Sequence, residues 1–147
     1  IDVNPDLAAW LRPVAQTVGR LLPTLPTVCG PADALSRDPA VVHAAKADPL
    51  NYHGRTPART GAALLRAGAA AQSRLSYLRT PFLVLHGTAD PLVPPAWSKR
   101  LYDRAATPDK TLRLYDGLYH EPVNAPEQAA VLRDLSRWLA MRIPTDE

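Results

Sequence analysis

What the chain lacks narrows its function first. Its 147 residues include one cysteine, Cys29, so no disulfide can close within it and no cysteine cluster can hold a metal. No apolar stretch approaches the ~18 residues of a membrane-spanning helix, and no charged-then-apolar leader opens the sequence. There is no block of like charge either. Seventeen basic and fourteen acidic residues are scattered, which argues against a nucleic-acid surface despite the net charge of +3. These absences predict a chain that works in water, in the cytoplasm or against a membrane surface. The only methionine is Met141 and the first residue is Ile1. The chain is therefore expected to be part of a longer protein, and secretion is left open.

What is present fits a globular protein. Hydrophobic residues make up 46% of the chain and charged ones 21%, too apolar a mixture for intrinsic disorder. The basic residues are mostly arginine, and with the many alanines and 16 prolines the composition resembles that of a GC-rich bacterial gene product.

The two halves obey different patterns. Leu7, Leu11, Val14, Val18, Leu21, Leu22 and Leu25 recur at helical spacing, with Pro13 interrupting them. This predicts a kinked amphipathic pair of helices that starts at Asn4-Pro5 and ends at Pro23 and Pro26. Residues 26–40 read as an ordered loop with at most short helical turns. Leu64, Leu65 and an alanine-rich spacing predict a helix from Pro57 to Leu75, capped by Thr56.

From Thr80 onward strands enter. Phe82-Leu83-Val84-Leu85, bounded by Pro81 and Gly87, reads as a strand buried on both faces, as in a parallel sheet. Pro94 and Pro95 open a helix to about Ala106, and Thr111 to Tyr115 alternates like a strand closed by Asp116-Gly117. Asn124 with Glu127 three residues later predicts a capping box for a last helix, its stripe formed by Val131, Leu132, Leu135, Trp138 and Leu139. The result is a β-α-β-α unit. Two parallel strands leave edges and faces that only further strands and helices can cover, so the sheet is expected to be incomplete without an upstream part.

In open α/β sheets the working residues follow the carboxyl ends of the strands. Asp90 follows the first strand in His86-Gly87-Thr88-Ala89-Asp90, and His120 follows the second in Tyr115-Asp116-Gly117-Leu118-Tyr119-His120. Adjacent strand ends would bring the two together. A carboxylate that accepts His Nδ1–H fixes the tautomer, leaves Nε2 free as a base and stabilises the imidazolium that forms. A nucleophile is still needed, and one familiar source is a serine on a Gly-x-Ser-x-Gly turn. No two glycines here are spaced that way, and Ser36, Ser73, Ser76, Ser98 and Ser136 have no glycine beside them.

On these residues the whole chain resembles the α/β-hydrolases, and within them the monoacylglycerol lipase and lysophospholipase group. His86 to Asp90 is similar to that group's acid-bearing strand end, Tyr115 to His120 to its histidine-bearing end, and Asp48-Pro49-Leu50 to the point where its cap returns to the core. The resemblance implies a cap or lid over residues 1–50, its helical part from Asp6 to Ala47, and the C-terminal part of the hydrolase core over residues 51–147. It implies Asp90 and His120 as triad acid and base, with Val93 near the wall of an acyl pocket. The family's nucleophile turn and its His-Gly oxyanion strand both lie before the cap and are not in this sequence.

The expected function is therefore a serine ester hydrolase acting on monoacylglycerol or a lysolipid, inactive as this chain alone. The serine and oxyanion amides would come from an N-terminal half, in the same or a separate chain. No cofactor is needed, and the leucine stripe at 7–25 offers either helix packing or peripheral membrane contact. Two alternatives remain: another chemistry on the same fold, such as an epoxide hydrolase, haloperoxidase or C–C hydrolase, or a non-catalytic fragment that contributes a lid and an interface. His43 and His53 have no carboxylate in ligand register and read as exposed or hydrogen-bonded histidines. Cys29, in a proline-rich loop, is discounted as a nucleophile.

Overall fold

The computed structural model describes residues 11–143. In chain order it has α1 (Leu11–Leu21), α2 (Pro39–Ala47), α3 (Ala58–Ser73), β1 (Phe82–Gly87), α4 (Ala96–Arg104), β2 (Lys110–Tyr115) and α5 (Gln128–Ala140). Short 3₁₀ turns lie at Ala32–Ala34, Leu75–Tyr77 and Pro122–Asn124. The expected start at Asn4-Pro5, Leu7 and the first part of the kinked pair lie outside the described residues.

In α1, Pro13 lies in the first described turn. The helix crosses α3 through small residues rather than through its leucines. Gly19 is buried, and a Cβ there would lie 2.8 Å from Ala62 Cβ and 3.0 Å from the Ala58 carbonyl. Val14, Leu21, Leu22 and Leu25 face outward. The two segments are joined further by backbone bonds from Thr27 N–H to Thr56 O (2.9 Å) and Thr56 N–H to Val28 O (2.8 Å). Thr56 is committed to that pairing, so it does not cap α3; Pro57 takes the capping position with no side-chain bond.

Periodicity alone does not reveal α2, whose first residues fall in the stretch expected to be loop. Its local signal is Asp38-Pro39. The Asp38 carboxylate accepts the Ala40 N–H at 2.8 Å, and Pro39 suits the first turn.

The β-α-β-α expectation holds. Strands β1 and β2 pair in parallel from Phe82 opposite Lys110 to Gly87 opposite Tyr115, joined by α4. Leu118, Ala125 and Val131 form the buried cluster, with Leu85 and Tyr115 packed on it.

Three details depart from the sequence reading. Phe82 to Leu85 are half-buried rather than buried, because β1 has one partner strand among the described residues. Helix α5 starts at Gln128, and the Asn124–Glu127 capping box does not form. Asn124 instead ends a 3₁₀ turn and donates its amide to Glu121 Oε2 at 2.8 Å. The inward stripe of α5 is also narrower than expected, since Val131 is buried while Leu132 and Leu139 are exposed.

Candidate active site

At the carboxyl end of β1 the chain turns, and Asp90 N–H reaches back to Gly87 O at 3.3 Å. The Asp90 side chain is 1% exposed, so its charge needs compensation from donors around it. Oδ1 accepts the N–H groups of Leu92 (2.8 Å) and Val93 (3.0 Å). Oδ2 accepts His120 Nδ1–H at 2.9 Å and lies 3.2 Å from His86 Nε2. Burial opposes the charge, yet the bonds from His120, Val93 and Leu92 outweigh it and hold the carboxyl below its ordinary range. A carboxylate only accepts, so the proton of the contact with His120 sits on Nδ1, and in the neutral ring Nε2 then carries a lone pair. The His120 side chain is 37% exposed, and Nε2 has no hydrogen-bond partner among the described residues.

Close backbone contact sets this pairing. Leu118 and Tyr119, just before His120, lie directly over the end of β1. A Cβ on Gly87 would come within 2.1 Å of the Leu118 carbonyl oxygen, so only glycine fits under that loop. The two strand-end turns are also laced together. Ala89 N–H donates to Leu118 O at 3.0 Å, and Thr88 N–H to Tyr115 O at 2.9 Å. The Thr88 hydroxyl donates to Asp116 Oδ1 at 3.0 Å and accepts from Gly117 N–H at 2.8 Å. Sequence reasoning did not find this role of Thr88, although a hydroxyl at a strand-end turn is a signal for one.

The segment before α2 grips the histidine loop from outside. His120 N–H donates to Ala34 O at 3.4 Å and Glu121 N–H to Leu35 O at 2.8 Å. The buried Ser36 hydroxyl donates to Asn124 O at 2.8 Å and accepts from Asp38 N–H at 3.0 Å. Arg37 pairs with Glu127. Contacts that span about 90 residues of chain leave no local pattern to read.

A cavity of about 620 Å³ opens between Leu35, Val41 and Tyr52 on one side and Leu92, Glu121 and Asn124 on the other. Leu92 is two residues from Asp90, and Glu121 follows His120. Asp48 of the Asp48-Pro49-Leu50 motif also lines the cavity. Leu92, not Val93, contributes to this wall. Val93 works through its backbone, its N–H bound to Asp90 and its carbonyl accepting His86 Nε2–H at 2.9 Å. His43 and His53 are exposed, His53 donating Nε2–H to Asp48 O at 2.9 Å, and Cys29 is exposed in its loop. Among the described residues no group of three or more His, Cys, Asp or Glu could hold a metal ion.

Comparisons with known proteins bear on the family and the fold. The chain is 45% identical over 143 residues to a monoacylglycerol lipase of Mycolicibacterium smegmatis, covering 97% of this chain and 51% of that protein. That bacterial relative is in keeping with the composition. A caffeoylshikimate esterase of Arabidopsis thaliana is 33% identical over 110 residues, 73% of this chain and 33% of that protein. The crystal structure of the Paleococcus ferrophilus monoacylglycerol lipase superposes with a TM-score of 0.80 at 30% identity, over 90% of this chain and 52% of that one. This chain thus spans about half the length of the lipases it matches. The sequence family described as serine aminopeptidase, S33 (Hydrolase_4) matches residues 1–127. The chain belongs to that family, and its parallel strands and flanking helices are part of an α/β-hydrolase fold.

Proposed function

We propose that this chain is the acid-and-base part of a serine ester hydrolase that releases fatty acid from monoacylglycerol or a lysolipid. The observation that carries the reading is the 2.9 Å contact of His120 Nδ1 with Asp90 at the ends of adjacent parallel strands, with Nε2 unpaired among the described residues. Named relatives that hydrolyse carboxylic esters support the reaction class. They also favour it over epoxide, haloperoxide and C–C chemistry.

A serine from an N-terminal part of the same hydrolase attacks the ester carbonyl while His120 Nε2 takes its proton. The imidazolium, stabilised by Asp90, returns that proton to the leaving alcohol, and water then attacks the acyl-enzyme by the same route. Backbone amides of the N-terminal part hold the oxyanion. The net reaction is ester plus water to acid plus alcohol. Residues 1–50 act as the cap and residues 51–147 complete the core, with the cavity between them taking part of the substrate. Val93, next to Leu92 of the cavity wall, holds Asp90 through its N–H.

The protein works in the cytoplasm or at a membrane surface, which the cap touches through its outward Leu21, Leu22 and Leu25. No helix among the described residues is long and apolar enough to cross a membrane.

The test is Asp90→Asn in the full-length protein, assayed on a long-chain monoacylglycerol and on a caffeoyl ester. Turnover should drop by ~10⁴-fold because the amide favours the wrong His120 tautomer. Near-normal turnover removes Asp90 from the mechanism, and a preference for the caffeoyl ester removes the lipid substrate.

A further inference from the structure

Asp90 has a second histidine beside it. His86, near the end of β1, is buried, and both ring nitrogens are engaged. Nε2 lies 2.9 Å from the Val93 carbonyl oxygen and 3.2 Å from Asp90 Oδ2, and Nδ1 lies 2.6 Å from the hydroxyl oxygen of Ser98 on α4. A carbonyl can only accept, so Nε2 bears a proton. In the neutral ring Nδ1 then has a lone pair, and the Ser98 hydroxyl, also buried, donates to it.

This string has the same three residue types as a serine–histidine–aspartate triad, in a setting that blocks the reaction. Ser98 is enclosed between α4 and β1 and lines none of the cavities described above. The Nε2–H is given to Val93 O rather than to the carboxylate.

Resting on the reading of Asp90 and His120 as acid and base, we propose that His86 and Ser98 are positioning residues for that acid. The Val93 carbonyl fixes the Nε2–H tautomer of His86, and Ser98 anchors the other ring nitrogen so that the imidazole keeps its orientation. His86 in turn ties the Asp90–Val93 turn shut through the Val93 carbonyl, with its Nε2 3.2 Å from the oxygen that holds His120. Asp90 Oδ1 accepts two N–H groups of that turn and Oδ2 accepts His120, so a turn held in place holds the carboxylate in place. The tautomer matters because an Nδ1–H ring would turn a lone pair toward both the Val93 carbonyl and Asp90, repelling the group it now holds.

The test uses the full-length protein with ¹⁵N-labelled histidine. The long-range proton–nitrogen spectrum at neutral pH should show His86 protonated on Nε2 and unprotonated on Nδ1. Ser98→Ala should shift the His86 Nδ1 resonance, which loses its donor, and with it the His120 Nδ1–H resonance. An Nδ1–H ring or an imidazolium in the parent protein overturns the proposal, as does an unchanged spectrum in Ser98→Ala. This readout needs no turnover, so it stands apart from the Asp90→Asn result on which the hydrolase reading depends.

In the activity arm, His86→Leu should lower kcat on the order of tenfold with little change in KM, the scale of one lost buried hydrogen bond. His86→Gln, whose amide reaches the Nε2 position, should recover most of that loss. A leucine variant as active as the parent, or a glutamine variant as slow as leucine, shows that His86 only fills space. A fluorophosphonate probe should leave Ser98 unmodified, and labelling at Ser98 would mean it is a nucleophile instead.

Discussion

Two glycines separate the two halves of this molecule. At Gly19 a helix crosses a helix, and an added methyl would meet the Cβ of Ala62 at 2.8 Å. At Gly87 backbone crosses backbone, and the same methyl would meet the Leu118 carbonyl oxygen at 2.1 Å. The first contact can relax by sliding α1 along α3, since the outward leucines of α1 hold it to nothing else described. The second cannot relax without moving the loop that carries His120. The strand half has its freedom removed where Asp90 and His120 sit, and the helical half keeps some where α1 crosses α3.

The largest expected effect breaks the comparison directly if it fails. Gly87→Ala should destabilise the full-length protein by about 3 kcal/mol, the upper range for overpacking, and collapse turnover with it. Gly19→Ala should cost about 1 kcal/mol, near the lower end of that range, and leave hydrolysis of a small soluble ester near its parent rate. Thermal melts and ester assays on both variants decide it. Equal losses in the two would mean that the helical crossing is as rigid as the site.

Ser36 is where the halves are fastened together, and it sharpens the contrast. Ser36→Ala leaves Asn124 O and Asp38 N–H without their buried partner, at a cost of about 2 kcal/mol. The histidine loop keeps its seat on Gly87, so kcat on a soluble ester should fall less than the affinity for a long-chain substrate that spans the cavity. A kcat that collapses while KM stays fixed would show that the cap segment, rather than the strand ends, sets the position of His120.

How much of this was legible follows from where each contact lies along the chain. Strand β1, the helix opened by Pro95, strand β2 and the Asp90–His120 pairing could all be read, because a short apolar run, a proline pair and a Gly-turn are local signals. The fold supplied the juxtaposition through the parallel register of β1 and β2. Helix α2 was missed since its cap, Asp38-Pro39, is a two-residue signal inside a proline-rich stretch. The capping box at Asn124 was read from a pattern that the fold overrode, with Glu127 turned to Arg37 and Asn124 to Glu121. Ser98 could not be found at all, for a serine within a helix shows its role only when His86 faces it across the fold.

Within the strand half, Tyr115 joins the end of β2 to α5 through its hydroxyl, which donates to Asp134 Oδ2 at 3.0 Å. Burial and then the neighbouring carboxylate push its ionisation up from 10.0 to about 12. The folded value is the higher one, so this contribution to stability is fully present below pH ~10 and is lost as pH rises through about 12. Asp90 has the opposite sign. Its depressed carboxyl contributes above the unfolded value near ~3.9 and loses that contribution as acid protonates it in the fold. Tyr115→Phe should cost about 1 kcal/mol at neutral pH and abolish a phenol that titrates near 12 in an ultraviolet titration. If the late phenol survives the substitution, the Tyr115–Asp134 bond does not hold β2 to α5.

The smallest effect on stability tests the helical half where it is loosest. Leu21 is 74% exposed and Leu22 55%, at the end of α1 beside Arg20. Neither closes a packed contact, so the double change Leu21→Ser and Leu22→Ser should shift stability by no more than about 0.5 kcal/mol. Each leucine inserted in a bilayer would contribute roughly 1.5–3 kcal/mol if fully buried. Losing both from a partly inserted face should therefore lower binding to phosphatidylcholine vesicles by on the order of tenfold or more. Hydrolysis of a soluble short-chain ester should stay at the parent rate while hydrolysis of vesicle-borne substrate falls in step with binding. Sedimentation with vesicles and the two assays together separate this from its rival. A stable variant that binds vesicles as before means the leucines face another part of the protein, and the freedom of α1 then serves packing rather than a lipid surface.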